Sequence, residues 1–181
     1  MSQIELIEKC KNNDRKAQLR LYRQYCEGMF VVANRFLKHT EDAEDAMQEA
    51  FINAFKKIDQ YTAEVSFGAW LKKIVINKSL DKLRAKQNYY ISIDEAQLEV
   101  VAEEDNWQTR DDTTLEEVKA EIEKLPDKYR VVVILFLLEG YDHQEISEIL
   151  NISSTASRTQ LLRGKKKLQE ALKKRSHGTG Y

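Results

Sequence analysis

The sequence predicts an all-α fold, and three observations carry that prediction. Its 181 residues include one Pro and six Gly, too few for the tight reversals that a multi-stranded sheet needs. Apolar residues recur at spacings of three and four along most of the chain, the period of a helix with one buried face. Charged residues at 33% and hydrophobic residues at 42% suit solvated helices that still bury a core in each half, and exclude wholesale disorder.

The elements follow in order. Ile4, Leu6 and Ile7, then Leu19, Leu21 and Tyr22, mark short amphipathic helices before Gly28, with an apolar stretch from Phe30 to Leu37 beyond it. Thr40 is placed to cap a helix over 41 to about 58. Glu41, Asp42, Glu44 and Asp45 complement its positive end, and Ala43, Ala46, Met47, Ala50, Phe51, Ala54, Phe55 and Ile58 form its apolar stripe. Residues 59–65 break the pattern, and Ser66 is placed to cap the next helix. There Trp70, Leu71, Ile74, Val75 and Leu80 alternate with bases, and Trp70 reads as part of the buried stripe.

Residues 88–113 have no sustained period and read as an acidic, flexible linker. At about 3.3 Å per residue it spans up to roughly 80 to 90 Å, so the bodies on either side need not touch. Helical spacing resumes at 114–124. Pro126 suits the first turn of a helix carrying Val131 to Leu138, which Gly140 ends. Asp142 with Glu145 makes a capping box for a short helix, Asn151-Ile152-Ser153 is a turn, and Ser153 or Ser154 caps a final basic helix. Short helix, tight turn and long basic helix make a helix-turn-helix pattern. The chain thus divides into two small helical domains, 1–87 and 114–175, joined by the linker.

Charge supports this division. Lys and Arg number 29 against 30 Asp and Glu, yet residues 1–87 carry 16 basic and 12 acidic side chains, 88–117 carry 1 and 10, and 118–181 carry 12 and 8. Two cationic bodies flank an anionic connector. Lys72, Lys73, Lys78, Lys82, Arg84 and Lys86 oppose only Asp81, a footprint suited to phosphates. On the last helix, a projection at 100° per residue turns Leu161 and Leu168 inward and Thr155, Thr159, Leu162, Arg163 and Lys166 outward. That face suits a major groove, where Arg pairs bidentately with guanine and aliphatic groups meet the thymine methyl.

Other chemistries find no support. Cys10 and Cys26 lack a CxxC partner, and the three His show no metal-ligand spacing, so the thiols read as reduced and structural and no metal or other cofactor is expected. GxxxxGK[ST], HExxH and GxSxG are absent from the sequence, so neither an enzyme nor a small-molecule substrate is expected. No apolar run reaches the roughly 18 to 20 residues of a membrane span, and the charged first ten residues do not read as a signal peptide, so a cytoplasmic protein is expected.

The segments EDAEDAMQEAFINAFKKI, FGAWLKKIVINKSLDKLR and LPDKYRVVVILFLLEGYDHQEISEIL, in that order and spacing, resemble the extracytoplasmic-function group of sigma-70-family factors over nearly the whole chain. The resemblance implies a promoter-binding helical domain (sigma region 2), a tether, and a helix-turn-helix domain (sigma region 4), both bound to core RNA polymerase. By resemblance Asp45, Gln48 and Glu49 dock on a coiled coil of the largest polymerase subunit. Tyr61 and Asn77 line a pocket for a flipped base of the -10 element, with Lys73, Lys78 and Arg84 on the nearby backbone. Arg158, Thr159, Leu162 and Arg163 read the -35 element, with Arg158 at the flank, where a phosphate contact is the alternative.

Thr155-Ala156-Ser157 departs from the Gly-Thr-Val of many relatives, so the promoter sequence read can differ. The family further implies promoter DNA as ligand, monomeric action, an anti-sigma partner, and threading of the acidic connector toward the polymerase active centre. The rival reading is a two-domain helix-turn-helix regulator with an N-terminal sensing or dimerisation domain, binding duplex DNA unaided.

Overall fold

A computed structural model describes residues 2–87 and 113–177, and among them every regular element is helical. They fall into two compact units, one in each half of the chain. The expected linker lies outside the described residues except for its last position, Thr113.

The first unit is built from α1 (Gln3–Lys11), α2 (Arg15–Leu37), α3 (Thr40–Lys56) and α4 (Phe67–Gln87). Ser2 and Glu5 form a capping box on α1, and the Asp14 carboxylate accepts from the Lys16 and Ala17 amides at the start of α2. Gly28 does not divide this stretch, because α2 runs through it unbroken for 23 residues. A lone helical Gly costs only about 1 kcal/mol, and burial of Met29, Val32, Ala33, Phe36 and Leu37 beyond it offsets that.

Two further expectations shift at element ends. Thr40 is the first helical residue of α3 and His39 stands at the cap without a side-chain bond. Ile58 is buried in a separate 3-10 turn, Ile58–Gln60. Ser66 does cap α4, its hydroxyl accepting from the Ala69 amide at 3.2 Å. The small side chains of Ala43, Ala46, Ala50 and Ala54 are fully buried, so α3 packs closely against α2 and α4.

The second unit contains α5 (Leu115–Lys124), α6 (Asp127–Val133), α7 (His143–Leu150) and α8 (Ser154–His177). Capping boxes Thr114/Glu117 and Asp142/Glu145 start α5 and α7. Pro126 occupies the cap position of α6, one place before its first turn. The apolar run does not stay α-helical to Leu138. It widens at Ile134–Leu138 into a π turn, closed by Gly140 at φ +77°. Burial, then Glu139 and Glu145, push the adjoining Tyr141 phenol up to about 12, so it stays a neutral hydroxyl.

Arg130 is 1% exposed and answered by Asp127, with bonds of 2.8 and 3.0 Å. Helix α8 packs on α5, α6 and α7, and Gly164 is where it approaches α6. A Cβ there would lie 2.6 Å from Val133 Cγ2 and 3.4 Å from Tyr129 Cβ. Gly164→Ala should therefore cost about 1 to 3 kcal/mol of stability, read as a lower thermal midpoint, and Val133→Ala in the same chain should recover part of it. Additive losses would mean that the two side chains do not meet.

Candidate nucleic-acid and partner interfaces

On α3 the alanine-rich stripe faces inward, which leaves Asp45, Gln48 and Glu49 exposed on one side. Ile52, one turn beyond Gln48, is 54% exposed on the same side. Sequence reading passed over it, although its omission from the stripe spacing was a usable signal. Gln48 lines an open groove of about 350 Å³ together with Tyr22, Glu27, Phe30, Glu44 and Met47.

At 100° per residue, the buried stripe of α4 is Phe67, Leu71, Val75, Ile76, Ser79, Leu80 and Leu83. Opposite it lie Trp70, Lys73, Asn77, Asp81 and Arg84. Lys73 and Asn77 are exposed, and Arg84 pairs with Asp81 at 3.3 Å. Trp70 is half-buried, which corrects its assignment to the core. Its ring centroid lies 5.5 Å from both Tyr61 and Phe67, and those two are also 5.5 Å apart.

The triad is pinned, because the Tyr61 hydroxyl donates to the Val65 carbonyl at 2.7 Å. Tyr61 is thus a fixed aromatic surface at the start of the cationic helix. The loop it spans includes Ala63 at φ +62°, a left-handed conformation that disfavours a residue with a Cβ.

Lys78 stands apart from the other expected strand contacts. It lies on the α3 side of α4, with Nζ 3.5 Å from Glu49. Lys82 bridges Asp45 at 3.5 Å and Glu49 at 3.4 Å, and Lys86 pairs with Asp42. A hydrogen bond from Lys86 is the main reason that the Asp42 carboxyl is held below its ordinary range. Burial opposes that effect, and the charges of Lys86, His39 and Lys82 add to it.

In the second unit, Ser153 caps α8 by accepting from the Ala156 amide at 3.0 Å, and Asn151 takes the left-handed conformation of the turn. Two side-chain bonds tie α7 to α8. His143 Nδ1 and the fully buried Ser157 hydroxyl are 2.8 Å apart, and the Ser154 hydroxyl donates to Gln144 Oε1 at 3.3 Å. The His143 ring also stacks on Phe136 at 4.8 Å.

Leu161 and Leu168 are buried as the wheel requires. Thr155, Arg158 and Lys166 are exposed, and Thr159, Leu162 and Arg163 are half-buried. The Thr159 hydroxyl donates to the Thr155 carbonyl at 3.0 Å, so it offers a partner its methyl and an acceptor. Lys165 leans over Phe136 and Lys167 over Tyr129, 5.8 and 5.9 Å from the ring centroids, which separates them from the outward Lys166.

Among the described residues no group of His, Cys, Asp and Glu could hold a metal ion, and no helix is long and apolar enough to cross a membrane. Cys10 and Cys26 are both free. The Cys10 thiol is raised above its ordinary value by burial and then by Asp14.

Comparison with known proteins places these units. Residues 21–89 match the family Sigma-70 region 2, and residues 115–168 match Sigma-70, region 4. The chain is 32% identical over 179 residues to the ECF RNA polymerase sigma factor SigW of Bacillus subtilis, covering 92% of this chain and 95% of that one. It is 31% identical over 162 residues to the ECF RNA polymerase sigma factor SigE of Mycolicibacterium smegmatis, covering 88% of this chain and 63% of that protein.

Two solved structures share the fold. One is the sigma factor RpoE of Bartonella quintana, solved with the anti-sigma factor NepR, at a TM-score of 0.57 and 20% identity over 85% of this chain and 95% of that one. The other is CnrH, solved with the cytosolic domain of CnrY, at 0.54 and 21% over 93% and 95%.

The pinned aromatic triad generates a local prediction. Tyr61→Phe should lower the thermal midpoint by only a few degrees, since an exposed hydrogen bond contributes at the low end of about 0.5 to 1.5 kcal/mol. It should nevertheless speed amide exchange across 62–66, read by hydrogen-exchange mass spectrometry. Unaltered exchange would show that the bond does not hold the loop.

Proposed function

The chain belongs to the extracytoplasmic-function group of RNA polymerase sigma factors, and we propose on that premise that it joins core RNA polymerase and directs it to two-part promoters. Its second unit takes the -35 element through α8. Its first unit takes the -10 element through Tyr61 and the outer face of α4, while the α3 face of Asp45, Gln48 and Glu49 docks on the polymerase. The observation that carries this reading is the outer face of α4, where a fixed aromatic cluster continues into Lys73, Asn77 and Arg84.

Opening a promoter requires a base to leave the stack at a cost of a few kcal/mol. An aromatic platform returns about 1 to 3 kcal/mol per base, and adjacent cations track the strand. Tyr61 with Trp70 supplies the platform, Asn77 an amide able to hydrogen-bond a base edge, and Lys73 and Arg84 the cations. Lys78 joins them only once its pairing with Glu49 is released. On α8, Arg163 and Leu162 are suited to base edges, and Arg158 and Lys166 to phosphates. Thr159 contributes its methyl, and Thr155 an exposed hydroxyl.

The role is one of recruitment and binding, without catalysis by this chain, exerted as a monomer where the polymerase works, in the cytoplasm. An anti-sigma protein is the expected regulator, in keeping with the partner of the related sigma factor from Bartonella quintana.

Run-off transcription with core enzyme should start from a cognate promoter only when this protein is added, and the protein alone should hold that duplex weakly. Tight sequence-specific duplex binding without polymerase would favour a conventional helix-turn-helix regulator. Within the -35 contact, Arg163→Ala should cost about 1 to 3 kcal/mol and relax selectivity at one base position, whereas Lys166→Ala should weaken all sequences alike and lower the salt slope by about one. Competition with base-substituted promoters separates the two, and a uniform loss for Arg163→Ala would reassign it to the backbone.

A further inference from the structure

Three bases of α4 are partnered by carboxylates of α3. Lys86 faces Asp42, Lys82 faces Asp45, and Lys78 and Lys82 both reach Glu49. The bases recur every four residues and the acids every three or four, so the pairs form a row, one per helical turn, between antiparallel neighbours. Lys78 and Lys82 keep 30% and 23% of their side-chain surface exposed, and Lys86 keeps 56%. Ion pairs this open to water are weak and exchange partners readily, and a phosphate replaces a carboxylate without loss of charge.

Resting on the sigma-factor reading above, we propose that Asp42, Asp45 and Glu49 are a built-in counterion for a phosphate-binding row formed by Lys78, Lys82 and Lys86. A cationic partner that docks on α3 uncovers this row for the DNA backbone. Asp45 and Glu49 are the carboxylates offered to the polymerase, and an Arg that draws them away leaves Lys78 and Lys82 without counterions. Phosphate then restores their balance. Because each binding event removes the competitor of the other, docking on α3 and DNA binding on α4 favour each other reciprocally. Lys82 and Lys86 thereby join the DNA-contacting set, and the free chain is restrained from holding nucleic acid non-specifically.

The test titrates full-length protein, alone and bound to core polymerase, with a fluorescent fork-junction DNA containing the -10 element, at several salt concentrations. Asp42→Asn is informative in the free chain because Asp42 is outside the polymerase-docking set. Glu41→Gln removes the same charge from the same turn and controls for net charge. Asp42→Asn should tighten DNA binding by the free chain about two- to fivefold beyond Glu41→Gln and steepen its salt dependence by nearly one phosphate contact.

Lys82→Gln should weaken DNA binding several-fold in the polymerase complex and hardly at all in the free chain, where Lys82 is occupied by two carboxylates. Equal effects of Asp42→Asn and Glu41→Gln, or equal losses for Lys82→Gln in the two states, would overturn the proposal. Should the chain fail to bind core polymerase, the sigma-factor reading fails on that result, while the free-chain measurements still decide whether the acids mask the bases.

Discussion

Helix α4 must pack against both α2 and α3 while carrying six bases in fifteen residues, from Lys72 to Lys86. One side is fully committed, with Leu71, Val75, Ile76 and Leu80 at 2% exposure or less. Charge adjoining such a surface cannot be left unanswered where the neighbouring helix comes close. The acids of α3 answer it, and their spacing answers it turn by turn. The same contact fixes which bases remain outward: Lys73 and Arg84 stay with Trp70 and Asn77 on the solvent side, and Lys78, Lys82 and Lys86 turn toward α3. Packing α3 against α4 therefore sorts one cationic helix into an outward face and a face paired with the acids of α3.

The second unit meets a different constraint, that of close approach. Helix α8 can carry its outward face at a defined height only if its inner face seats deeply, and Gly164 permits this by leaving room for Val133. The π turn Ile134–Leu138 and Gly140 then reverse the chain to start α7. Bonds from His143 and Gln144 set the first turn of α8 against it. In both units an apolar contact positions an element, and polar pairs beside that contact set which of its side chains a ligand meets.

Much of this was legible because it is local. The Asp142/Glu145 box, the Ser66 cap, the inward Leu161 and Leu168, and the outward face of α8 each depend on residues within a turn or two of one another. Other features were not, because they depend on partners far along the chain. The pairs between α3 and α4 join residues 29 to 44 positions apart, so the acids and the bases each read as separate surfaces. Trp70 follows a core spacing, yet the stripe is centred on its neighbours, and Tyr61 and Phe67 draw its ring to the margin. Gly28 reads as a break only if the apolar residues after it are not credited with holding α2 together. The π turn arises inside an unbroken apolar run, where periodicity carries no signal.

The hydrogen bonds on α8 also narrow what its composition suggests. Five hydroxyl residues open the helix or its cap, and a reader of sequence alone would count them all as donors to DNA. Ser153 is spent on the cap, Ser157 on His143, Ser154 on Gln144, and Thr159 on the backbone of Thr155. Thr155 alone in this stretch keeps an exposed side chain without such a commitment among the described contacts. The hydroxyl bonds thus mainly hold the start of α8 in place, and the outward face is left to Arg163, Leu162 and methyl groups. Ser157, the last residue of the departure at Thr155-Ala156-Ser157, is fully buried and bonded to His143, so this position seats α8 against α7.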